Sequence, residues 1–322
     1  MYQVLIPQDI PQIGKDYLTE HGYSYRIGSG HDIETIKREI VDADAIIVRT
    51  ALYPREVIEA GKKLRVIARF GVGTDNIDIA AATERGIYVT IAKDANAVSV
   101  AEHAIMFMLT LARSLTFMDK EVHANHWDAR NSHPIYQLSG KTLGILGAGA
   151  IGRETARIAH DGFGMRIIAY DPYCDTCPEY ITLMDDLDSV LAESDFVSLH
   201  MPANEATTGI INERTLGLMK PSAYLINCGR GQLVDEAALC KALQQNIIAG
   251  AAADVLCQEP PEQANPLLGL GNFIASPHNA GITVESSDAM ALMAAQAVDD
   301  ILSGRQSNYA INHLHPQQTV AL

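Results

Sequence analysis

The sequence predicts an α/β protein of two doubly wound, parallel-sheet domains with a cleft between them. Three observations carry that reading. Short apolar runs of buried-strand type alternate with helically spaced stretches over residues 1–98; the alternation resumes and runs to about residue 285; and a glycine-rich turn near residue 147 joins a strand to a helix in the second series. Alternation of this kind produces parallel sheets covered by helices, with ligands held beyond the carboxyl ends of the strands.

In the first series Val4-Leu5-Ile6 is a strand, and residues 32–41 have helical spacing. Residues 44–48 form the next strand, and residues 54–60 start a helix with Pro54 in its first turn, where the missing N–H is tolerated. Residues 64–68 lead as a strand into the loop 69–78, whose Gly71 and Gly73 stand at a strand end. Backbone N–H groups there suit a nest for a carboxylate; an ordinary tight turn is the other reading. Residues 99–122 are read as one long helical stretch, apolar on more than one face and therefore buried on several sides. A domain junction that doubles as a dimer surface and a central core helix both satisfy that pattern. Residues 123–138 are polar and irregular and hold Trp127, the only tryptophan.

The second series opens with the strand Leu143-Gly144-Ile145-Leu146, which runs into Gly147-Ala148-Gly149-Ala150-Ile151-Gly152 and then a helical pattern over 151–159. After Gly162 and Gly164 a second strand ends at Asp171, nineteen positions beyond Gly152 (171 − 152). The first two glycines let the backbone turn tightly and approach a pyrophosphate, and the third lets helix and strand pack closely. The helix N-terminus then offers free N–H groups and a positive dipole end to the anion. An acid at 171 can accept hydrogen bonds from an adenosine ribose and would repel a 2′-phosphate, so NAD is favoured over NADP. Further strands at 196–200, 223–227, 247–254 and 273–275 complete a Rossmann-like domain. Residues 284–302, apolar on one face, are expected to return to the first domain, making it discontinuous: 1–98 with 286–322, around 99–285. Residues 305–322 read as a polar tail with little to pack.

With 322 residues, 48% hydrophobic, the chain has ample core for two domains. A net charge of −15 argues against a nucleic-acid backbone or an anionic membrane surface as partner, so an anionic substrate needs a local cationic pocket. No stretch reaches transmembrane length, and the first six residues are too short and lack the basic start of a signal peptide, which makes the expected location cytoplasmic. Five cysteines fit a reducing compartment better than a disulfide framework. Cys174 and Cys177 form a CxxC pair, but without a second pair or a histidine cluster neither metal nor redox work is expected there, and the two read as surface-loop residues after the second strand.

Arg230, Glu259 and His278 stand at or just beyond strand ends of the second domain. Arginine offers a planar fork of donors to a carboxylate, and histidine exchanges a proton near neutrality when a carboxylate holds its ring. Together they suit reduction of a 2-keto acid, in which the arginine grips carboxylate and keto oxygen, nicotinamide delivers hydride and the histidine protonates the new alkoxide. Taken singly, each residue also has a structural reading: a surface arginine, a helix-cap acid before Pro260-Pro261, and a satisfied loop histidine.

At these residues the sequence resembles the NAD-dependent D-isomer-specific 2-hydroxyacid dehydrogenases and, within them, the phosphoglycerate dehydrogenases. The matching segments are 70–78 (FGVGTDNID), 99–103 (SVAEH), 140–152 (GKTLGILGAGAIG), 227–239 (NCGRGQLVDEAAL), 254–267 (DVLCQEPPEQANPL) and 277–283 (PHNAGIT), in family order over nearly the whole chain. The resemblance implies that Arg230 binds substrate, that His278 is the acid/base with Glu259 as its partner, and that the backbone of Val72 and Gly73 receives the substrate carboxylate. It further implies that Gly147, Gly149, Ala150, Ile151, Gly152, Asp171, His200, Met201, Pro202, Thr207, Cys228, Gly229, Arg230, Asp254, His278 and Ala280 contact the cofactor. Glutamate at 259 argues against the formate dehydrogenase branch, where glutamine occupies this place. Arg49 and Arg69 look like the basic groups that answer a phosphate in phosphoglycerate dehydrogenases, whereas residues 91–96 (IAKDAN) depart from the usual asparagine-proline form of that segment. Serine feedback through a C-terminal regulatory domain is not expected. Hydroxypyruvate, glyoxylate and other 2-keto acids stay open beside 3-phosphoglycerate. The expected partners are this small acid and a second copy bound through residues 99–122. The rival from another class is an NAD(H)-sensing corepressor-like protein, because fold alone does not fix function.

Overall fold

A computed structural model describes residues 2–314 of the protein. They divide into two compact units, residues 2–96 with 282–314 and residues 97–281.

The first unit runs β1 (Gln3–Ile6), α1 (Gln12–Glu20), β2 (Ser24–Ile27), α2 (Ile33–Glu39), β3 (Ala45–Val48), α3 (Arg55–Ala60), β4 (Val66–Arg69), α4 (Ile79–Glu84) and β5 (Tyr88–Ile91). Its five strands are all parallel in the order β2-β1-β3-β4-β5. Asp32 and Asp78 cap α2 and α4 by accepting the N–H groups of Thr35 and Ala81, which fixes where these short helices begin. Pro54 stands one place before α3, not inside its first turn.

The second unit begins with α5 (Ala97–Ala112) and α6 (Leu115–His123), followed by β6 (Thr142–Leu146), α7 (Ala150–Phe163), β7 (Arg166–Tyr170), β8 (Ile181–Leu183), α8 (Leu187–Glu193), β9 (Phe196–Leu199), α9 (Glu213–Leu216), β10 (Tyr224–Asn227), α10 (Glu236–Gln244), β11 (Gly250–Ala253) and β12 (Phe273–Ala275). Its seven strands are also all parallel, in the order β12-β11-β10-β9-β6-β7-β8. The stretch expected as one helix over 99–122 is therefore two. The Ala112 carbonyl accepts the Tyr136 N–H at 2.8 Å, ending the helical ladder, and Ser114 takes a left-handed φ of +48°. Ten of the sixteen residues of α5 are buried, and none of α6 is, so the apolar stretch is a core helix only in its first part. Among the described residues no single helix is long and apolar enough to cross a membrane; α5 and α6 together have that length and composition but bend by 60°.

α11 (Val284–Leu302) returns to the first unit. Its Met290, Ala291, Ala294, Ala295, Val298 and Leu302 share one cluster with Val4, Ile6, Ala45, Ile47 and Val66 on one face of the five-stranded sheet. Leu5, Ile46, Val48 and Ile67, which point the other way by strand alternation, pack with Ile36, Val57 and Ile58 of α2 and α3. Residues 305–314 do not behave as a tail with little to pack. The Asn312 side chain is buried, accepts the Val89 N–H at 2.8 Å and donates to the Ile87 carbonyl, and Ile91 N–H reaches Tyr309 O, so the segment covers the open edge of β5. The rest of the expected tail, 315–322, lies outside the described residues.

Candidate active site

Gly147 follows β6 with φ +97°, and Gly149 precedes α7 in extended conformation with no side chain capping the helix. The first N–H groups of α7 are thus left for an anion. A Cβ on Gly152 would lie 2.1 Å from the Gly147 carbonyl oxygen, so only glycine allows helix and turn to meet, while a Cβ on Gly149 would face open space. Pairing of β6 with β7 sets Leu146 beside Tyr170 and brings Asp171 to the turn, where its Oδ2 accepts the Ala148 N–H at 2.8 Å and its Oδ1 the Tyr173 N–H at 2.9 Å. Two bonds leave a carboxylate with acceptor sites to spare for a diol. This cradle fits a dinucleotide.

The strand order then carries the rim of the site across the sheet, because neighbouring parallel strands end side by side. His200, Met201 and Pro202 follow β9. His200 is half-buried, with Nε2 2.8 Å from Ser198 Oγ and, among the described residues, a buried Nδ1 that has no partner, and burial holds its pKa down at about 3, so it is a neutral ring with a spare nitrogen. Thr207 closes the next loop, donating from Oγ1 to Pro202 O at 2.7 Å. Cys228, Gly229 and Arg230 follow β10. Burial pushes the Cys228 thiol up, so it stays a thiol. The Asn227 side chain shapes this loop, accepting Gly229 N–H at 3.0 Å and donating to Arg230 O at 2.9 Å, and the Arg230 guanidinium donates to Gly229 O at 2.8 Å.

Asp254 follows β11, and a backbone ladder runs from Asp254 N to Asn227 O (2.9 Å) and from His278 N to Asp254 O (2.8 Å), setting three strand-end loops in register. His278 has a left-handed φ of +52°. Its Nδ1 lies 2.6 Å from Glu259 Oε2, while Glu259 Oε1 accepts the Leu256 N–H at 3.0 Å. An ionised carboxylate only accepts, so Nδ1 carries its hydrogen and Nε2 is the nitrogen free to exchange a proton. A cavity of about 450 Å³ opens against Asp254, Glu259, Ser276 and His278, walled by Pro260, Pro261 and Leu268. A larger one, about 600 Å³, lies at the opposite, amino ends of β10 and β11 beside Tyr224 and Gly250, away from these groups.

Below the rim is a network that sequence reasoning did not find. Asp254 is buried and accepts the Ser276 hydroxyl at 2.5 Å and the N–H groups of Asn279 and Ala280 at 2.9 Å each; His103 Nε2 lies 2.9 Å from Ser276 Oγ. Burial lowers the His103 pKa against the opposing pull of Asp254, and the ring meets Phe107 edge-on at 4.6 Å. His103 lay within the matched SVAEH segment, but its partner is 173 positions away.

The expected substrate residues of the first unit stand apart in sequence and are engaged within that unit. Arg69 donates from Nε to Gly73 O and from Nη1 to Phe70 O, both at 2.7 Å, bracing the loop in which Gly71 has φ +139°. Arg49 donates to Asp9 O at 2.7 Å and lies over the Phe70 ring, 5.0 Å from its centre. Among the described residues the N–H groups of Val72 and Gly73 donate to no protein acceptor, as a carboxylate nest requires.

Comparison with known proteins bears on the family and the fold. Residues 105–280 match the model of the D-isomer specific 2-hydroxyacid dehydrogenase, NAD binding domain. The chain is 38% identical over 319 residues to the D-3-phosphoglycerate dehydrogenase of Methanocaldococcus jannaschii, covering 97% of this chain and 60% of that protein. It is 38% identical over 310 residues to the glyoxylate reductase of Korarchaeum cryptofilum, covering 91% of each. The chain spans only 50 to 60% of the length of the first phosphoglycerate dehydrogenases it matches. Among solved structures, the NADPH-dependent glyoxylate/hydroxypyruvate reductase of Sinorhizobium meliloti superposes with a TM-score of 0.86 at 29% identity over 97% of this chain and 98% of that one. D-2-hydroxyisocaproate dehydrogenase does so with a TM-score of 0.86 at 26% identity over 97% and 99%.

Proposed function

Because the chain belongs to the D-isomer specific 2-hydroxyacid dehydrogenases, we propose that it moves a hydride between NAD(H) and a small D-2-hydroxy acid or its 2-keto partner, with 3-phosphoglycerate a candidate. The observation that carries this reading is the His278–Glu259 pair at 2.6 Å, on the rim where Arg230 and the glycine turn also stand. When bound, NAD(H) supplies the hydride chemistry. The N-terminus of α7 and the turn at Gly147–Gly152 hold the pyrophosphate, Asp171 takes the adenosine ribose, and the neutral His200 with Met201, Pro202 and Thr207 lines the same groove. Asp254, Cys228, Gly229 and Ala280 border the nicotinamide end. Arg230 orients the acid and its keto oxygen; His278 Nε2 gives the alkoxide its proton in reduction and takes it back in oxidation, with Glu259 stabilising the charged ring. Val72 and Gly73 receive the substrate carboxylate through their free N–H groups. The carboxylate of Asp171, held at the turn, favours NAD over NADP.

Arg49 and Arg69 are the basic groups for a phosphorylated substrate, in keeping with the names of the phosphoglycerate dehydrogenase relatives. One observation favours the second reading, an unphosphorylated 2-keto acid such as hydroxypyruvate or glyoxylate: both guanidiniums already donate to backbone carbonyls of their own unit. We place the protein in the cytoplasm, away from nucleic acid and membrane, in line with its net charge of −15. A homodimer through residues 99–122 fits the exposure of Met106, Leu109, Leu115 and Val122 there.

The test is NADH oxidation by wild-type and His278→Ala protein against 3-phosphohydroxypyruvate, hydroxypyruvate, glyoxylate, pyruvate and bulkier 2-keto acids. Turnover that vanishes in the variant while NADH still binds supports the assignment; equal turnover in both removes His278 from the mechanism. Preference for the phosphorylated acid gives Arg49 and Arg69 to a phosphate, preference for another acid makes them structural, and no turnover on any acid favours the NAD(H) sensor.

A further inference from the structure

The loop between β7 and β8 begins at Asp171 and carries both cysteines of the CxxC pair. Their sulfurs lie 2.9 Å apart, neither in a disulfide, and both side chains are partly exposed. Arg153 ties this loop to the glycine turn. Its Nε donates to Ala148 O at 2.7 Å, and its Nη2 to Thr176 O at 2.7 Å and to Cys174 Sγ at 3.3 Å. Asp171 binds the same two pieces from the other side, through the N–H groups of Ala148 and Tyr173, and its carbonyl accepts the Cys174 N–H at 3.2 Å. The dithiol is therefore one residue pair removed from the acid assigned to the adenosine ribose.

We propose that Cys174 and Cys177 are a reversible dithiol–disulfide site whose oxidation weakens dinucleotide binding. The coupling rests on the nucleotide reading given above; formation of the bond does not. The oxidant is a small-molecule disulfide of the glutathione class. The Cys174 sulfur, as thiolate, attacks one sulfur of that disulfide and displaces the first thiolate. The Cys177 sulfur then loses its proton and attacks Cys174 Sγ, displacing the second. Two protein S–H bonds are lost, one S–S bond forms, and the two electrons leave in two molecules of the small thiol. A guanidinium donating to a sulfur is the setting in which thiolates attack, and it falls on Cys174. Cys177 is the resolving partner, its thiol pushed up to about 11 chiefly by burial and held against Cys174.

An S–S bond is about 2.05 Å long, so the sulfurs must close by roughly 0.85 Å. Bond formation removes the S–H that Cys174 donates to the Thr176 carbonyl at 3.2 Å and leaves opposite Arg153 a neutral disulfide sulfur, a weak acceptor, which loosens the brace that holds loop and turn around Asp171. Arg230, Glu259 and His278 lie on other strand ends and are untouched, so the effect falls on NADH affinity and its KM, not on kcat.

The experiment uses full-length protein carrying Cys257→Ser, which removes the exposed cysteine outside the pair. It is equilibrated with stepped ratios of reduced to oxidised glutathione, alkylated and mapped by mass spectrometry, while NADH affinity is read by fluorescence on each sample. The expected result is that residues 174 and 177 lose alkylation together, with loss of two hydrogens, and that the NADH dissociation constant rises roughly tenfold, the effect of losing a positioned hydrogen bond. Dithiothreitol should reverse both, and Cys174→Ser or Cys177→Ser should abolish both. Two thiols that stay alkylatable in excess oxidised glutathione, a lasting glutathione adduct on one of them, or a disulfide with unchanged NADH affinity each overturn the proposal. Reduced protein that binds no NADH overturns the nucleotide reading and the coupling with it, while alkylation still decides whether the bond forms.

Discussion

Replacing Glu259 by glutamine keeps the shape of the side chain and removes half of what it does. The carboxylate accepts twice, from Leu256 N–H at 3.0 Å and from His278 Nδ1 at 2.6 Å. An amide has one accepting arm, so Glu259→Gln must give up one of the two bonds. If the amide oxygen stays with Leu256, its NH₂ faces Nδ1 and drives the ring into the tautomer with hydrogen on Nε2. If it turns to His278, the Leu256 N–H meets a second donor. Either way the negative charge beside the protonated ring is lost. A hydrogen bond to a charged partner contributes about 1.5–3 kcal/mol. Both side chains are partly exposed, 53% for His278 and 37% for Glu259, so the lower end applies. About 1.5 kcal/mol of transition-state stabilisation corresponds to roughly a tenfold fall in kcat. The assay is steady-state NADH oxidation with the preferred 2-keto acid in H₂O and D₂O. We expect the fall in kcat with an enlarged solvent isotope effect, as proton delivery becomes limiting, and an unchanged NADH dissociation constant. A variant with wild-type kcat and isotope effect would refute the claim that the carboxylate works through His278.

Two further outcomes follow from groups on the same rim. Gly152→Ala sets a Cβ 2.1 Å from the Gly147 carbonyl, an overpacking that costs roughly 1–3 kcal/mol and misplaces the N-terminus of α7; urea melts and NADH titration should both show the loss, and wild-type affinity would mean the turn does not hold the dinucleotide. His200 is neutral in the fold with its pKa held at about 3, against 6.5 when free, so between those values the unfolded chain binds a proton that the folded chain refuses. Stability from this residue is full above pH 6.5 and is lost as pH falls, by about 1.5 kcal/mol from pH 6.5 to 5. Urea denaturation at the two pH values should show wild type losing more than His200→Gln, and equal losses would contradict a buried neutral ring.

The glycine turn was legible because its demands are on the backbone, with a carbonyl 2.1 Å from where a Cβ on Gly152 would sit, and because the flanking strands, the helix and Asp171 fall at the spacing such a turn needs. An interior strand such as β3 was legible because burial on both faces writes a continuous apolar run, Ala45-Ile46-Ile47-Val48. The strands passed over were β2, β5 and β8, and all three are sheet edges. β2 is partly exposed along its whole length, as the pattern of Ser24–Ile27 shows, and carries no such run, whereas the edge strand β12 was read from Phe273-Ile274-Ala275. The break at Ser114 left no glycine or proline to mark it, because it is set by a hydrogen bond from Tyr136, far outside the helix. Likewise the His103–Ser276–Asp254 network and the brace made by Arg153 depend on partners that only folding brings together.

The return of α11 to the first unit dictates an order of events at the ribosome. One face of the five-stranded sheet, with Val4, Ile6, Ala45, Ile47 and Val66, is covered by side chains between Met290 and Leu302. Those residues are synthesised only after every strand of the seven-stranded sheet. The unit that emerges first is therefore completed last, and until then the apolar face of its sheet is covered only in part, by side chains such as Leu18 of α1. That interval is when a chaperone that recognises apolar surface would bind this chain. A nascent chain stalled before residue 290 should be held by such a factor, and one released after residue 302 should not.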